Sequence, residues 1–290
     1  MIVFTPSKNR ILNGLSSALK TCYPDKAIVW IPEKKPIFDM AYEVSPEFLF
    51  LDEKYINNHA VEALQELKIP TILCSMGCSE GLEDIVKLIL LDDVRCPAHV
   101  EQNLPSGIPK YRVKPAANYA KYKHPTPNYK LSCDIGYINQ SVNIPPYTMQ
   151  HLSYIEHNTT YSFKVMGQPC PYTGYVGMGS PQDIMSFSAS SKAMVDYDYN
   201  LLLENATNRI FTITNVEQEF FPFANTVDEL KEHLNKYISE EKLMRKITKQ
   251  AYKKAIAEDT YFHRLADIGE IIDHNEWVNT STQTLNRLRT

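Results

Sequence analysis

The stretch EFLFLDEKYINNHAVEALQELKIPTILC, residues 47–74, decides the fold class. Its first five residues form a short apolar run typical of a buried strand, and the apolar residues at 56, 60, 64 and 67 recur at helical spacing. Pro70 ends that helix, and Thr71–Cys74 is a second short apolar run. A strand, a helix and a strand in this order predict two parallel strands joined by a right-handed crossover.

The same alternation continues on both sides of this unit. Before it we predict strands at 2–5 and 27–31 and a helix at 7–20, and after it a helix at 80–91 and a strand at 93–96. Beyond residue 133 we predict strands at 134–138, 161–166, 192–197 and 210–214, helices at 146–158, 181–190 and 201–208, and an almost entirely helical chain from Thr226. The predicted fold is α/β, with two Rossmann-like doubly wound domains facing a cleft and with C-terminal helices. Ligands of such sheets bind at the carboxyl ends of the strands.

A change of composition divides the two halves. Residues 102–133 hold five prolines and no acidic residue, and their apolar residues show no regular period. We therefore predict an N-terminal domain at 1–108, a basic connector rich in Pro and Tyr at 109–132, a C-terminal domain at 133–258, and a final helix and tail at 259–290.

Composition excludes several classes of protein. With 43% hydrophobic and 22% charged residues, the 290-residue chain is not a disordered protein. A formal charge of −4 gives no general attraction to nucleic acid or membrane, so any such attraction must be local. The longest apolar stretch, 85–91, is far shorter than a membrane span, and the first residues do not form a signal peptide. We expect a cytoplasmic protein without membrane contact, whose thinly spread cysteines are reduced thiols.

A glycine-rich turn, GYVGMGSPQD at 174–183, precedes a predicted helix. Ser180 suits the N-cap, Pro181 the first helical position and Asp183 the third. The N–H groups of such a turn are a natural seat for a phosphate. The alternative is a well-capped helix that binds nothing.

A single acid, Glu204, interrupts an otherwise apolar helix after a strand. Its carboxylate could accept hydrogen bonds from both hydroxyls of a ribose, as acids do in dinucleotide sites. Equally, it could be an exposed glutamate on the surface of the helix. His151 and His157 lack the spacing of metal ligands, and we expect them at the surface.

The connector carries six cations and no acid. Lys110, Arg112, Lys114, Lys121, Lys123 and Lys130 are interleaved with tyrosines that include Tyr119 and Tyr122. Cations neutralise phosphates and aromatic rings stack on unpaired bases, so this pattern favours nucleic-acid contact. The alternative is a solvated linker that its lysines keep soluble.

The second half resembles the C-terminal half of a CgeB-like glycosyltransferase of the GT-B fold. The motifs that carry this resemblance are CDIGYIN at 133–139, FKVMG at 163–167, the glycine turn, LENA at 203–206, TVDEL at 226–230 and DTYFHR at 259–264. The chain departs from the family pattern at Leu201, where an arginine is usual, and at Asn208 and Arg209, where a glycine follows the helix.

This resemblance implies a metal-independent transferase without a cofactor, which uses a nucleotide-sugar as co-substrate. It places the donor against Gly136, Gly167, Gly177, Gly179, Ser180 and Glu204, with Glu204 on the ribose. It also implies that one base from the N-terminal domain activates the acceptor hydroxyl; the candidates are Asp39, Glu80 and Asp84.

The expected function is therefore transfer of a sugar to an acceptor hydroxyl. Because the connector is cationic and rich in tyrosine, we expect the acceptor to be a hydroxylated base in phage DNA, so that the protein would work in the cytoplasm of the host cell. A surface polysaccharide or protein acceptor is the alternative. A non-catalytic protein of GT-B shape that binds a nucleotide or nucleic acid is another.

Overall fold

The computed structural model describes residues 1–5, 9–74, 84–93, 96–102 and 104–289. They form two compact units. The first unit comprises Met1–Ala120 and Thr260–Thr290, and the second comprises Lys121–Asp259.

The first unit contains a parallel sheet with the strand order β2-β1-β3-β4-β5-β6. Its strands are β1 (Ile2–Phe4), β2 (Ala27–Val29), β3 (Phe48–Asp52), β4 (Thr71–Cys74), β5 (Val86–Asp92) and β6 (Lys110–Val113). The helices up to residue 122 are α1 (Arg10–Cys22), α2 (Ile37–Val44), α3 (Asn58–Leu67), α4 (Ala98–Gln102) and α5 (Tyr119–Tyr122). The N-cap Asn9 accepts the N–H of Ile11 at 2.8 Å and starts α1.

The prediction of a helix at 80–91 is wrong for residues 86–91, because residues 86–92 form β5. Residues 80–83 of that helix, and residues 94 and 95 of the strand predicted at 93–96, lie outside the described residues. Both faces of the central strand β5 are covered, so its side chains are apolar almost without a break. A continuous apolar run has no period that separates a buried strand from a buried helix.

The stretch predicted as a connector also differs from expectation. Lys110–Val113 is the strand β6, which pairs in parallel with β5 through Ile89–Lys110 to Asp92–Val113. The division between the units falls between Ala120 and Lys121. A four-residue strand between prolines at 109 and 115 gives too short a pattern to recognise in the sequence.

The second unit contains a parallel sheet with the strand order β10-β9-β7-β8. Its strands are β7 (Cys133–Asn139), β8 (Phe163–Gly167), β9 (Ser191–Asp196) and β10 (Thr212–Thr214). Its helices are α6 (Pro146–Asn158), α7 (Pro181–Ser190), α8 (Tyr199–Thr207), α9 (Val227–Ser239) and α10 (Glu241–Glu258). One apolar cluster joins α6 and α9 to the sheet and another joins α7 and α8 to it, so helices cover both faces.

The chain ends in α11 (Tyr261–Ile271) and α12 (Asn275–Arg289), which belong to the first unit. The predicted tail is thus mostly a helix. Trp277 of α12 is buried and stacks on Phe50 of β3, with ring centroids 5.6 Å apart. The Arg264 guanidinium of α11 donates to the carbonyl of Pro115 at 3.0 Å.

The two doubly wound parallel sheets with flanking helices confirm the predicted α/β fold class. Within the described ranges, no helix has the length and apolar character needed to cross a bilayer.

Candidate functional site

The second unit has a topological switch point between β7 and β9. β7 is the first strand, β8 lies on one side of it and β9 on the other. Where the strand order reverses in this way, the connections leave in opposite directions and open a crevice at the carboxyl ends. Those ends are Asn139 and Asp196.

A cavity of about 140 Å³ lies at this edge, and we call it the switch-point cavity. It is lined by Tyr137, Ile138, Gln140, Ser141, Pro145, Tyr147, Thr148, Asp196, Tyr197 and Asp198. Three of these side chains are tyrosines and none is cationic. The lining therefore suits an uncharged, planar or cyclic group better than a phosphate.

Asp196 is the most unusual group of this cavity. Its side chain is 1% exposed, and its Oδ1 accepts the N–H of Asp198 at 3.0 Å. Its Oδ2 is buried and has no hydrogen-bond partner within the second unit, all of which is described. Burial raises the pKa of Asp196 well above its ordinary value, which favours the protonated form, and a protonated carboxyl group can donate a hydrogen bond.

A second polar pair supports the same edge. His151 of α6 is 2% exposed, and its Nδ1 lies 2.7 Å from the Tyr197 hydroxyl. Burial lowers the pKa of His151, which favours a neutral imidazole. The expectation of a surface position is wrong for His151 and right for the exposed His157. Thr148, one turn before His151 on α6, has a buried Oγ1 for which the second unit offers no partner.

The glycine turn leads into α7, which is well capped, as in the alternative that the sequence left open to a phosphate site. Ser180 Oγ accepts the N–H of Asp183 at 3.2 Å, and the Asp183 carboxylate accepts the N–H of Ser180 at 2.9 Å. The Ser180 hydroxyl, which donates to Asp183 Oδ2 at 2.7 Å, and the Ser180 N–H both lower the pKa of Asp183. Pro181 has no N–H, so the first turn of α7 has few donors left for a phosphate.

The glycines assigned to the donor have structural tasks of their own. Gly167 ends β8 with a φ of +117°, and a Cβ there would meet the carbonyl oxygen of Asn139 at 2.2 Å. Gly136 lies inside β7, where a side chain would collide with Ser191 and Met194. Gly177 has a φ of +104° and faces open space, and Gly179 lies against Met166 and Asp183. Their contact with a donor stays a prediction.

Glu204 lies in the second half of α8, six residues after its N-cap Asp198. At about 1.5 Å per residue, this is roughly 9 Å along the helix from the switch-point edge. Glu204 is half-buried and is not among the residues that line the cavity. Burial, together with the charge of Glu204, raises the pKa of the nearby Tyr122 to about 12. Its role on the ribose stays a prediction.

The residues predicted for the acceptor divide between the two units. Lys110, Arg112, Lys114 and Tyr119 belong to the first unit, and Lys121, Tyr122, Lys123 and Lys130 to the second. Arg112 Nε donates to Glu101 at 2.8 Å, and Lys110 Nζ donates to the Leu104 carbonyl at 3.3 Å. Tyr119 is buried. Lys114, Lys121 and Lys130 remain exposed.

The three candidate bases lie in different parts of the first unit's sequence, and the structure describes two of them. Asp39 is exposed in the first turn of α2. Asp84 precedes β5 and so lies at the amino edge of the sheet, opposite the edge where ligands of such sheets bind. Glu80 lies outside the described residues. The choice of base stays a prediction.

Sequence reasoning missed Asp196, Thr148 and His151. The available signal was the run DYDY at 196–199 directly after a strand, because acids at the carboxyl end of a parallel strand lie at the ligand-binding edge. The described residues contain no group of three or more His, Cys, Asp and Glu side chains that could hold a metal ion.

No protein-family model matches the chain, and no curated protein matches it in sequence. Solved structures do match it. Anabaena Alr3699/HepE in complex with UDP and glucose has a TM-score of 0.62 at 10% identity, covering 94% of this chain and 99% of that chain. The same protein with UDP-glucose gives 0.60 at 10% identity, covering 99% of each chain.

UDP-GlcNAc 2-epimerase from Neisseria meningitidis bound to UDP-GlcNAc has a TM-score of 0.50 at 10% identity, covering 88% of this chain and 96% of that chain. At these identities the likeness concerns the fold. The chain has the α/β architecture of the GT-B fold.

Proposed function

We propose that the chain is a nucleotide-sugar-dependent glycosyltransferase whose donor binds at the carboxyl edge of the second unit. The observation that carries this proposal is the buried Asp196, whose Oδ2 is unpartnered at the switch-point cavity. A buried polar atom without a partner costs about 1–3 kcal/mol, so it is typical of a place that a ligand completes.

The lining indicates which part of the donor occupies the cavity. A neutral carboxyl group donates to a carbonyl or ring nitrogen, and tyrosine rings stack on a planar base. The cavity has no cation for the diphosphate. We therefore assign it to an uncharged ring of the donor and leave the diphosphate outside it.

The similar structures agree with this choice of ligand. HepE was solved with UDP, UDP-glucose and glucose, and the Neisseria epimerase with UDP-GlcNAc. Their shared ligand is a uridine nucleotide, so UDP is the first probe.

The proposal is tested by calorimetric titration with UDP, followed by incubation with UDP-glucose and with UDP-GlcNAc. We expect UDP binding and slow release of UDP from one of the two sugars, since a transferase without acceptor hydrolyses its donor. Because the resemblance implies no metal, EDTA should leave this release unchanged. Formation of an epimer without release of UDP would show an epimerase instead, and no binding of any nucleotide would contradict the proposal.

The finer assignment is a CgeB-like enzyme that modifies a hydroxylated base in phage DNA. Its support is the exposed cations of the second unit, Lys121 and Lys130, with the neighbouring Lys123 and the exposed ring of Tyr129. A surface polysaccharide or protein is the alternative acceptor.

The DNA acceptor is tested by changing Lys121, Lys123 and Lys130 together to Ala. DNA binding should weaken, and the slope of log K against log salt should flatten by about 0.7–0.9 for each phosphate that the variant no longer neutralises. The matched control changes three exposed lysines of α9 and α10, Lys231, Lys242 and Lys249, and should bind like wild type. Wild-type protein without salt-dependent DNA binding would exclude DNA and leave the donor site untouched.

A further inference from the structure

A second, larger cavity lies at the other edge of the second unit's sheet. Its volume is about 520 Å³, within the range of small-molecule sites. The residues Ser191 and Lys192 at the start of β9 and Phe211 just before β10 line it, so we call it the amino-edge cavity. The five steps along β9 from Ser191 to Asp196, at about 3.3 Å each, separate it from the switch-point cavity by roughly 17 Å.

The amino-edge cavity is cationic, unlike the switch-point cavity. Lys192, Arg209 and Arg245 line it, and Glu241 is its one acid. Glu241 Oε1 accepts from Arg245 Nη2 at 2.6 Å and so fixes that guanidinium. The Arg209 guanidinium lies 4.4 Å from the centre of the Tyr252 ring, a cation–π contact that holds it in place. The Arg209 guanidinium has no carboxylate partner within the second unit, whereas the charge of Lys192 also acts on the carboxylate of Asp134.

The backbone at this cavity is held in an unfavourable conformation. Arg209 has a φ of +58°, and His124, which also lines the cavity, has a φ of +55°. For a side chain other than glycine, the left-handed region costs roughly 1–2 kcal/mol. The fold therefore places a guanidinium where a glycine would be more stable.

Ser188 places a buried hydroxyl beside this cavity. Ser188, near the end of α7, is 0% exposed and lines the cavity, and its Oγ has no hydrogen-bond partner in the second unit. Its neighbours Ser190 and Ser191 both donate to carbonyls of α7, so an unpartnered hydroxyl at Ser188 is an exception here. A ligand oxygen would satisfy it.

We propose that the amino-edge cavity is a second ligand site that binds a small phosphorylated molecule. Arg209 and Lys192 contact the phosphate, and the Ser188 hydroxyl donates to it. A guanidinium, an ammonium and a hydroxyl together are the groups that recognise phosphate oxygens. A lined cavity of this size fits one small molecule better than a polymer. Nothing in this assignment depends on the donor site.

The test is calorimetric titration with inorganic pyrophosphate. Arg209→Gly removes the cation and relieves the left-handed backbone, so this variant should fold, and its affinity should fall at least about ten-fold. Ser188→Ala removes only the unpartnered hydroxyl and should weaken binding about three- to ten-fold. Lys68→Gly is the matched control, because Lys68 is a cation with a φ of +51° in the first unit. It should bind like wild type.

Each titration is repeated with a saturating amount of UDP and with a single-stranded oligonucleotide. We expect UDP to leave pyrophosphate binding unchanged, and Arg209→Gly to leave UDP affinity unchanged. The proposal would be overturned if wild type did not bind pyrophosphate, or if Arg209→Gly and Lys68→Gly bound it with equal affinity. It would also be overturned if UDP displaced pyrophosphate, or if only the oligonucleotide bound. UDP affinity, measured on the same samples, tests the donor site separately.

Discussion

The two units share a topology, yet the polar groups at their switch points are arranged differently. In the first unit, β1 lies between β2 and β3, and the strand ends bring Thr5 beside Asp52. The Asp52 N–H donates to Thr5 Oγ1 at 3.0 Å, and Asp52 Oδ1 accepts the backbone N–H of Lys54 at 3.1 Å. In the second unit, the end of β9 leaves Asp196 Oδ2 buried without a partner, and the first turn of α6 leaves Thr148 Oγ1 in the same state.

The fold places polar residues at the carboxyl edge of each sheet, but the sequence decides whether those residues find hydrogen-bond partners within the unit. The doubly wound topology places polar residues at a carboxyl edge in both units. In the second unit Asp196 Oδ2 lacks an internal partner, and an aromatic-lined cavity lies beside it. Hydrogen bonds such as those of Thr5 and Asp52 stabilise the unit, whereas a buried polar atom without a partner is prepared for a ligand.

The strongest test of the comparison changes Asp196 and Asp52 in turn. Asp196→Ala should weaken UDP binding about ten- to hundred-fold, because a ligand group then loses its buried partner. Asp196→Asn should stay within a few-fold of wild type, since a neutral amide also donates. Asp52→Ala is the matched control and should leave UDP affinity unchanged. Equal losses in the Asp52 and Asp196 variants, measured by calorimetry, would remove the distinction between the edges.

Glu204 tests how far the donor site extends along α8. If its carboxylate accepts the ribose hydroxyls, Glu204→Ala should lower UDP affinity about ten-fold, since a hydrogen bond to a charged group contributes about 1.5–3 kcal/mol. Circular dichroism should show an unaltered fold. Unchanged affinity would confine the site to the switch-point cavity.

Two threonines offer a comparison in stability. Thr5→Val removes the acceptor of the Asp52 N–H and should lower the free energy of unfolding by about 1–2 kcal/mol. Thr148→Val removes a hydroxyl that has no partner in the second unit and should leave the stability unchanged or higher. Urea denaturation of both variants measures this. A larger loss for Thr148→Val than for Thr5→Val would contradict the account.

The smallest expected effect is a dependence of stability on pH. Burial raises the pKa of Asp196 above its ordinary value of 3.8, so the folded state keeps a proton that the unfolded chain releases. The stabilisation is fully present below about pH 3.8 and is lost as the pH rises towards the folded pKa. The Asp196→Asn variant has no carboxyl group at this position and therefore does not lose stability in this way as the pH rises. Between pH 4 and 8 its Tm should therefore rise relative to wild type by at least about 2–4 °C; parallel curves would show an ionised Asp196.

The sequence predicted the fold well where strands were short and flanked by turns. The strand–helix–strand segment at 47–74 and the strands β7 to β10 follow from the local pattern of apolar residues and from the prolines, acids and glycines that bound them. It failed at β5, where an all-apolar run carries no period, and at β6, whose four residues lie in a proline-rich stretch.

The site was harder to predict than the fold. The family resemblance placed the diphosphate of the donor near the glycine turn at 177–180, yet Ser180 and Asp183 satisfy each other's hydrogen bonds there. What distinguishes Asp196 is that its Oδ2 has no internal partner, and Thr148 and His151 reach the same edge from α6. Such properties arise only when distant segments pack together, so no spacing in the sequence reveals them.

Hydrogen exchange with and without UDP tests most directly whether the donor binds at the carboxyl edge of the second unit. Amides at 137–148 and 196–201 should gain protection on UDP binding, because they line or flank the switch-point cavity. Amides at 2–5 and 48–55, at the corresponding edge of the first unit, should not change. Protection confined to the first unit, or to the amino-edge residues 188–192 and 208–211, would contradict this location.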